Sequence, residues 1–247
     1  MKLKLLIVYV FASMAVSCQF TETMILNEDG SGSMAVEVNL SEMMAFGGIS
    51  GADSTVTKID TIIHMKRFLE EKKDSIATLS EAQQQELKRL EAFKIHMKVD
   101  SEAAEMVYDI STNFNVVSDA NDILSGLGPL GNMLPDPDAN TKIERKDDSP
   151  DFIGTAFSYK NGRFKRDAYI KDKKVHQQQM DSMKQAEAFL SGANYTLKYT
   201  FPREIKKVSN EAATFSEDKK TVILQKPFLE YLKNPDILDL EVELEDN

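Results

Sequence analysis

Three groups of side chains have types and spacings that could do chemistry. The first is Cys18, the sole thiol in 247 residues. The second is an acidic series, Asp136, Asp138, Asn140, Glu144 and Asp147, which falls at positions 1, 3, 5, 9 and 12 of a calcium loop. A hard cation wants six to eight oxygen ligands, which this series could begin to supply. Thr141 stands where the sharp turn needs Gly, however, and Asp147 is shorter than the usual bidentate Glu. Pro137 also restricts the backbone between the first two ligands. The series reads as a solvated acidic linker, and no metal ligand is assigned. The third group is a run of cations, Lys160, Arg163, Lys165, Arg166, Lys171, Lys173 and Lys174, relieved only by Asp167 and Asp172. It suits either phosphate head groups or a solvated face that neutralises acids elsewhere.

Other chemistry lacks its residues. His64, His96 and His176 form no His-Glu-x-x-His pair, no second cysteine can complete a thiolate zinc site, and there is no Gly-x-Ser-x-Gly elbow. No catalytic residue and no cofactor-binding residue is assigned, and the expectation is a non-enzyme. A hydrolase assembled from dispersed carboxylates is the alternative, with a calcium-stabilised adhesin-like surface protein as a third class. Formal net charge is −10, and removing residues 1–18 takes away two more lysines, leaving −12. That balance repels nucleic acid at long range.

Cys18 acquires its meaning from the stretch before it. Lys2 and Lys4 precede an apolar run from Leu5 to Val16, and Ala15-Val16-Ser17 puts small residues just ahead of the cysteine. This is a secretory signal pattern. The apolar run is too short to span a hydrocarbon core that needs roughly 20 residues. Ala15-Val16-Ser17-Cys18 resembles the lipobox of bacterial lipoproteins, departing from it where Ala15 replaces the usual Leu. The resemblance implies that the thiol receives a diacylglyceryl group, that cleavage leaves Cys18 as the first residue, and that its amino end is acylated. With Gln19 rather than Asp next, it also implies retention in the outer membrane, lipid-anchored. Having no other cysteine, an exported chain cannot build a disulfide framework, so attachment explains Cys18 better than a free thiol.

The elements that would carry such an anchor are those of an α+β body at 19–247, with a subdomain boundary, if there is one, at 128–150. Phe20 to Leu40 reads as a hairpin about Asp29-Gly30-Ser31-Gly32, a turn rather than a phosphate or calcium cradle. Residues 47–54 have loop composition, as connector or flap. Ile59, Ile62, Ile63, Leu69, Ile76 and Leu79 predict an amphipathic helix over 58–78. Ser80 and Gln83 make a capping box for a second helix reaching Phe93, giving a helical hairpin whose apolar stripe packs on the core. Alternation predicts strands over 93–99 and 106–114, and a short helix follows over 118–127. Asn161-Gly162 is the two-residue turn of a hairpin over 152–170. A third amphipathic helix is expected over 174–190, strands at 195–201 and 221–224, and a short helix over 228–233. Leu238, Leu240, Val242 and Leu244 alternate with Asp239, Glu241, Glu243 and Glu245, an acidic row read as edge protection.

Cys18, the turn at 29–32 and the strand ending Tyr195-Thr196-Leu197-Lys198-Tyr199-Thr200-Phe201-Pro202 resemble small envelope lipoproteins of Bacteroidota and, more distantly, the LppM-type lipoprotein domain. The helical hairpin departs from that compact pattern. The resemblance implies an α+β envelope domain that contacts lipid or glycolipid, and it supplies no catalytic residues; the expected function is a non-catalytic binding or assembly module held at the membrane.

Overall fold

The computed structural model describes residues 19–45, 58–121, 152–184 and 187–246. The leader with Cys18, the loop at 47–54, most of the expected helix at 118–127 and the whole acidic series at 136–147 lie outside them. So does the linker at 128–150.

Two mostly antiparallel sheets form the body. The larger has eight strands in the order β10-β11-β8-β1-β2-β5-β4-β3, where β1 is Gln19–Leu26, β2 Gly32–Asn39, β3 Lys58–His64, β4 Phe93–Asp100, β5 Glu105–Phe114, β8 Asn194–Thr200, β10 Thr214–Phe215 and β11 Thr221–Pro227. The smaller runs β6-β7-β12-β9, with β6 Ile153–Lys160, β7 Arg163–Ile170, β9 Ile205–Val208 and β12 Leu240–Leu244. β1 pairs antiparallel with β2 on one side and parallel with β8 on the other. The first strand of the body is therefore interior to the sheet, flanked by an early strand and a late one.

Period-two alternation gives the large sheet one buried face, carrying Met24, Met34, Val36, Ile95, Ile110, Leu197, Tyr199 and Leu224. The small sheet packs on that face through Phe157, Phe164, Ala168, Leu240 and Val242, with the Phe164 ring edge-on to that of Tyr199. Met65, Leu69, Leu87 and Leu90 join the same core from helices α2 (Met65–Glu71) and α4 (Glu81–Arg89) and the 3-10 turn at Leu90–Ala92, with α3 (Lys73–Ile76) between the two helices. All these side chains join one apolar cluster. A small satellite of Met97, Val99 and Met106 lies beside Leu40 and Met44, close to α1 (Ser41–Ala45).

The structure corrects the expectation of one helix over 58–78. Residues Lys58–His64 are a strand, and the helical layer begins only at Met65. The reason is local: Ile59, Thr61 and Ile63 sit in alternate positions of a β-branched run and face the same way as Val99, Met97 and Ile95 opposite them. The second helix forms as the capping box requires, with the Ser80 hydroxyl accepting from the Gln83 amide while the Gln83 side chain accepts from the Ser80 amide. The third expected helix divides into α5 (Lys173–Met183), whose first turn is capped by the Asp172 carboxylate, and α6 (Glu187–Leu190). α7 (Phe228–Lys233) follows β11 directly.

The hairpin at 152–170 forms as the sequence dictates. Asn161 and Gly162 have φ of 52° and 70°, the left-handed pair a two-residue turn requires. The last strand is corrected. β12 is central in the small sheet, with β7 on one side and β9 on the other, so its acidic row does not protect an edge. Glu243 instead meets Lys206 at 3.2 Å and Arg163 at 3.8 Å.

Candidate functional site

The feature with the strongest chemistry is a buried charge pair. Phe20, Glu22 and Met24 share the inward phase of β1, and Phe164, Arg166 and Ala168 share that of β7, so the alternation that builds each sheet sends one acid and one base into the core between them. Glu22 is 2% exposed and Arg166 0%. Arg166 donates from Nε to Glu22 Oε1 and from Nη2 to Oε2, each at 3.2 Å, and its Nη1 donates to the Leu238 carbonyl at 3.1 Å. The hydroxyl of Tyr195 donates to Oε2 at 2.6 Å, and that of Tyr199 donates to Oε1. The guanidinium also lies 5.9 Å from the centre of the Tyr231 ring.

Burial works against the Glu22 charge, but the adjacent guanidinium and the donated hydrogen bonds outweigh it and hold the carboxyl below its usual range. Burial and the Glu22 charge both push Tyr195 and Tyr199 well above the ordinary phenol value, so they remain donors. Arg166 is held charged by Glu22 against its own burial. Each Glu22 oxygen accepts two hydrogen bonds and the pair is closed to solvent. This arrangement clamps two sheets; it offers no proton to a substrate.

The cation run is taken apart by the same geometry. Arg166 is spent on Glu22, Arg163 faces Glu243, and Lys165 pairs with Asp167 at 3.0 Å. The groove over this face of the small sheet, about 1140 Å³, is lined by Lys160, Arg163, Lys165 and Lys207 together with Glu211, Glu241 and Glu243. A solvated face that neutralises acids elsewhere describes Arg163, which is exposed and reaches Glu243 of β12; Lys165 pairs within the run itself, and Arg166 departs from both readings because it is buried in the core.

The three histidines are not brought together as a site. His64 ends β3 ahead of α2, His96 Nε2 lies 2.8 Å from an Asp60 oxygen, and the buried His176 places Nε2 2.7 Å from the Leu232 carbonyl. Among the described residues no group of three or more His, Cys, Asp or Glu is placed to hold a metal. Asp29, in the turn between β1 and β2, accepts from the hydroxyl and amide of Ser31, which lowers its pKa.

What the structure adds to Cys18 is its neighbour. Gln19 is already strand, in register with Asn39 of β2 and Asn194 of β8, and the next ring, Phe20, stacks on Phe228 at 3.9 Å between centroids. No slack separates the residue after Cys18 from the core.

No family model matches the chain, and no curated protein matches it. Among solved structures, the NMR structure of the folded domain of LppM from Mycobacterium tuberculosis superposes with a TM-score of 0.37 at 6% identity, over 94% of this chain and 93% of that one. A likeness of that size assigns neither fold nor function. Among the described residues no helix is long and apolar enough to cross a membrane.

Proposed function

We propose that this chain is a lipid-anchored envelope protein, tethered through Cys18, whose body is a non-catalytic binding or assembly module at the outer membrane. One observation supports it most: Gln19, the residue next to Cys18, is already strand and is paired on both sides, with Asn39 of β2 and Asn194 of β8. Cleavage immediately before Cys18 leaves β1 whole, whereas a cut a few residues later would remove Glu22 and strand Arg166 as an uncompensated buried charge, a loss of about 3–5 kcal/mol.

Each buried methylene contributes about 0.8 kcal/mol to membrane affinity, and two or more chains hold stably where one does not. Three chains on one residue would make the tether effectively permanent. The binding reading rests on what the carboxylates do: Glu22 is locked in the core, and Glu241 and Glu243 lie among cations on the face of the small sheet.

Fractionation of cells expressing the full chain and its Cys18→Ser variant tests the tether. The native chain is expected in the membrane pellet, and the variant as uncleaved precursor. A variant that is fully processed and still sediments with membranes overturns the proposal.

A further inference from the structure

Given acylation of Cys18, on which this rests, we infer that the body stands end-on against the bilayer, its α5, α6 and α7 end toward the lipid and the tip of its basic hairpin turned away. Consecutive Cα atoms lie about 3.8 Å apart, so chains grafted on Cys18 emerge within a residue's span of Gln19. Gln19 is held on both sides, so the tether cannot lengthen without unpairing β1 from β2 and β8.

The elements around that end are fixed by register and contact. Asn194 lies opposite Gln19 and also opposite Pro227, which leads into α7. α7 is tied to α5 by His176 and the Leu232 carbonyl, and to α6 by Lys233 and Glu187 at 2.9 Å. These helices and the Ser191-Gly192 segment before β8 therefore lie at the end of the body that the anchor brings to the lipid, together with α1, which follows Asn39 opposite Gln19, and the turn between β4 and β5.

The opposite end is equally fixed. At the Leu26 end of β1, the Asn27–Ser31 turn packs against the hairpin: Tyr159 Cδ1 lies 3.6 Å from the place a side chain would occupy on Gly30. Arg203 joins Glu28 at 3.0 Å and borders Gly162 in the hairpin turn. β11 pairs Thr221 with Thr200, which puts the Ser216–Lys220 turn at this end too. Eight strand residues at about 3.3 Å each separate the two ends by roughly 23 Å. Electrostatic screening in physiological salt has a length of about 8 Å. The hairpin tip therefore lies beyond the electrostatic reach of the anchor's own membrane, and Lys160 faces whatever approaches from the other side. Lying flat is opposed by charge, because a body of net charge −12, the −10 of the whole chain less two leader lysines, is repelled by an anionic surface.

The test uses the acylated full chain in vesicles of phosphatidylethanolamine and phosphatidylglycerol. Acylation consumes the Cys18 thiol, so single cysteines introduced by Gly192→Cys or Glu230→Cys at one end, and Lys160→Cys or Glu217→Cys at the other, take a fluorophore selectively. A quencher carried on the lipid head group is expected to extinguish most emission at 192 and 230 and to leave 160 and 217 unquenched. Equal quenching at both ends, or the reverse order, in a sample whose mass shows acylated Cys18 overturns the orientation alone. A mass showing bare Cys18 overturns the anchor and the orientation together.

Discussion

Glu22 and Arg166, 144 residues apart in the chain, meet in the core as a bidentate pair that joins the first strand of the large sheet to the second strand of the small one. Tyr195 and Tyr199 saturate the carboxylate, and the Leu238 carbonyl takes the remaining arm of the guanidinium. Neither charge has water to fall back on, so each depends on the other.

Removing one partner should cost far more than the pair is worth. Glu22→Leu and Arg166→Met are each expected to destabilise the protein by about 3–5 kcal/mol in urea unfolding. The double variant should be less destabilised than the sum of the two by roughly 1–3 kcal/mol, since it leaves no orphaned charge, although two tyrosine hydroxyls lose their acceptor. Strict additivity would contradict the clamp.

Acid should unlock it. Glu22 has a folded pKa below its unfolded value of about 4.3, so its contribution is complete above that pH and is lost as pH falls through the lowered folded value. Asp239 runs the other way. Burial raises its pKa, so its cost at neutral pH is relieved on acidification. Unfolding free energy measured from pH 6 to 2 should therefore drop chiefly below pH 4.3, and the Glu22→Gln variant should show a shallower fall. An unchanged slope in that variant would rule out Glu22 as the main acid-sensitive group.

Two glycines should differ sharply. A Cβ on Gly32 would lie 2.1 Å from the Ile25 carbonyl oxygen, which the sheet cannot move, whereas one on Gly154 would meet the outer atoms of the Tyr169 ring at 2.4 Å. Tyr169 is 40% exposed and can swing out. Gly32→Ala is expected to lower stability by about 1–3 kcal/mol or more and Gly154→Ala by much less. Thermal unfolding of both variants measures the difference.

Helix caps set a smaller scale. Ser80→Ala and Asp172→Ala each remove a side chain that accepts first-turn amides and should cost about 1 kcal/mol apiece. Hydrogen exchange should rise locally in α4 and α5 without change in the sheets.

Local rules in the sequence were enough for the Asn161-Gly162 turn, the Ser80 capping box and the alternation of β4, β5 and β12, because each is decided by neighbours within a few residues. Position within the sheet was not. β12 reads as an edge from its acids, yet strand order depends on partners 30 and more residues away, as in the pairings of Leu240 with Arg166 and Glu243 with Lys207. β3 was hidden because Ile59, Ile62 and Ile63 fit a helical period as well as a strand. The charge pair left one trace: Arg166 occupies the inward phase between Phe164 and Ala168, and Glu22 that between Phe20 and Met24. A charged residue in an inward phase predicts a buried partner, but only the fold says which.

The anchor itself is tested most directly by the intact mass and amino-terminal peptide of the protein purified from membranes in detergent. The account predicts a mature chain beginning at Cys18 and carrying a diacylglyceryl thioether and an amide-linked acyl chain. A chain beginning at any other residue, or one with Cys18 as a free thiol, would contradict it.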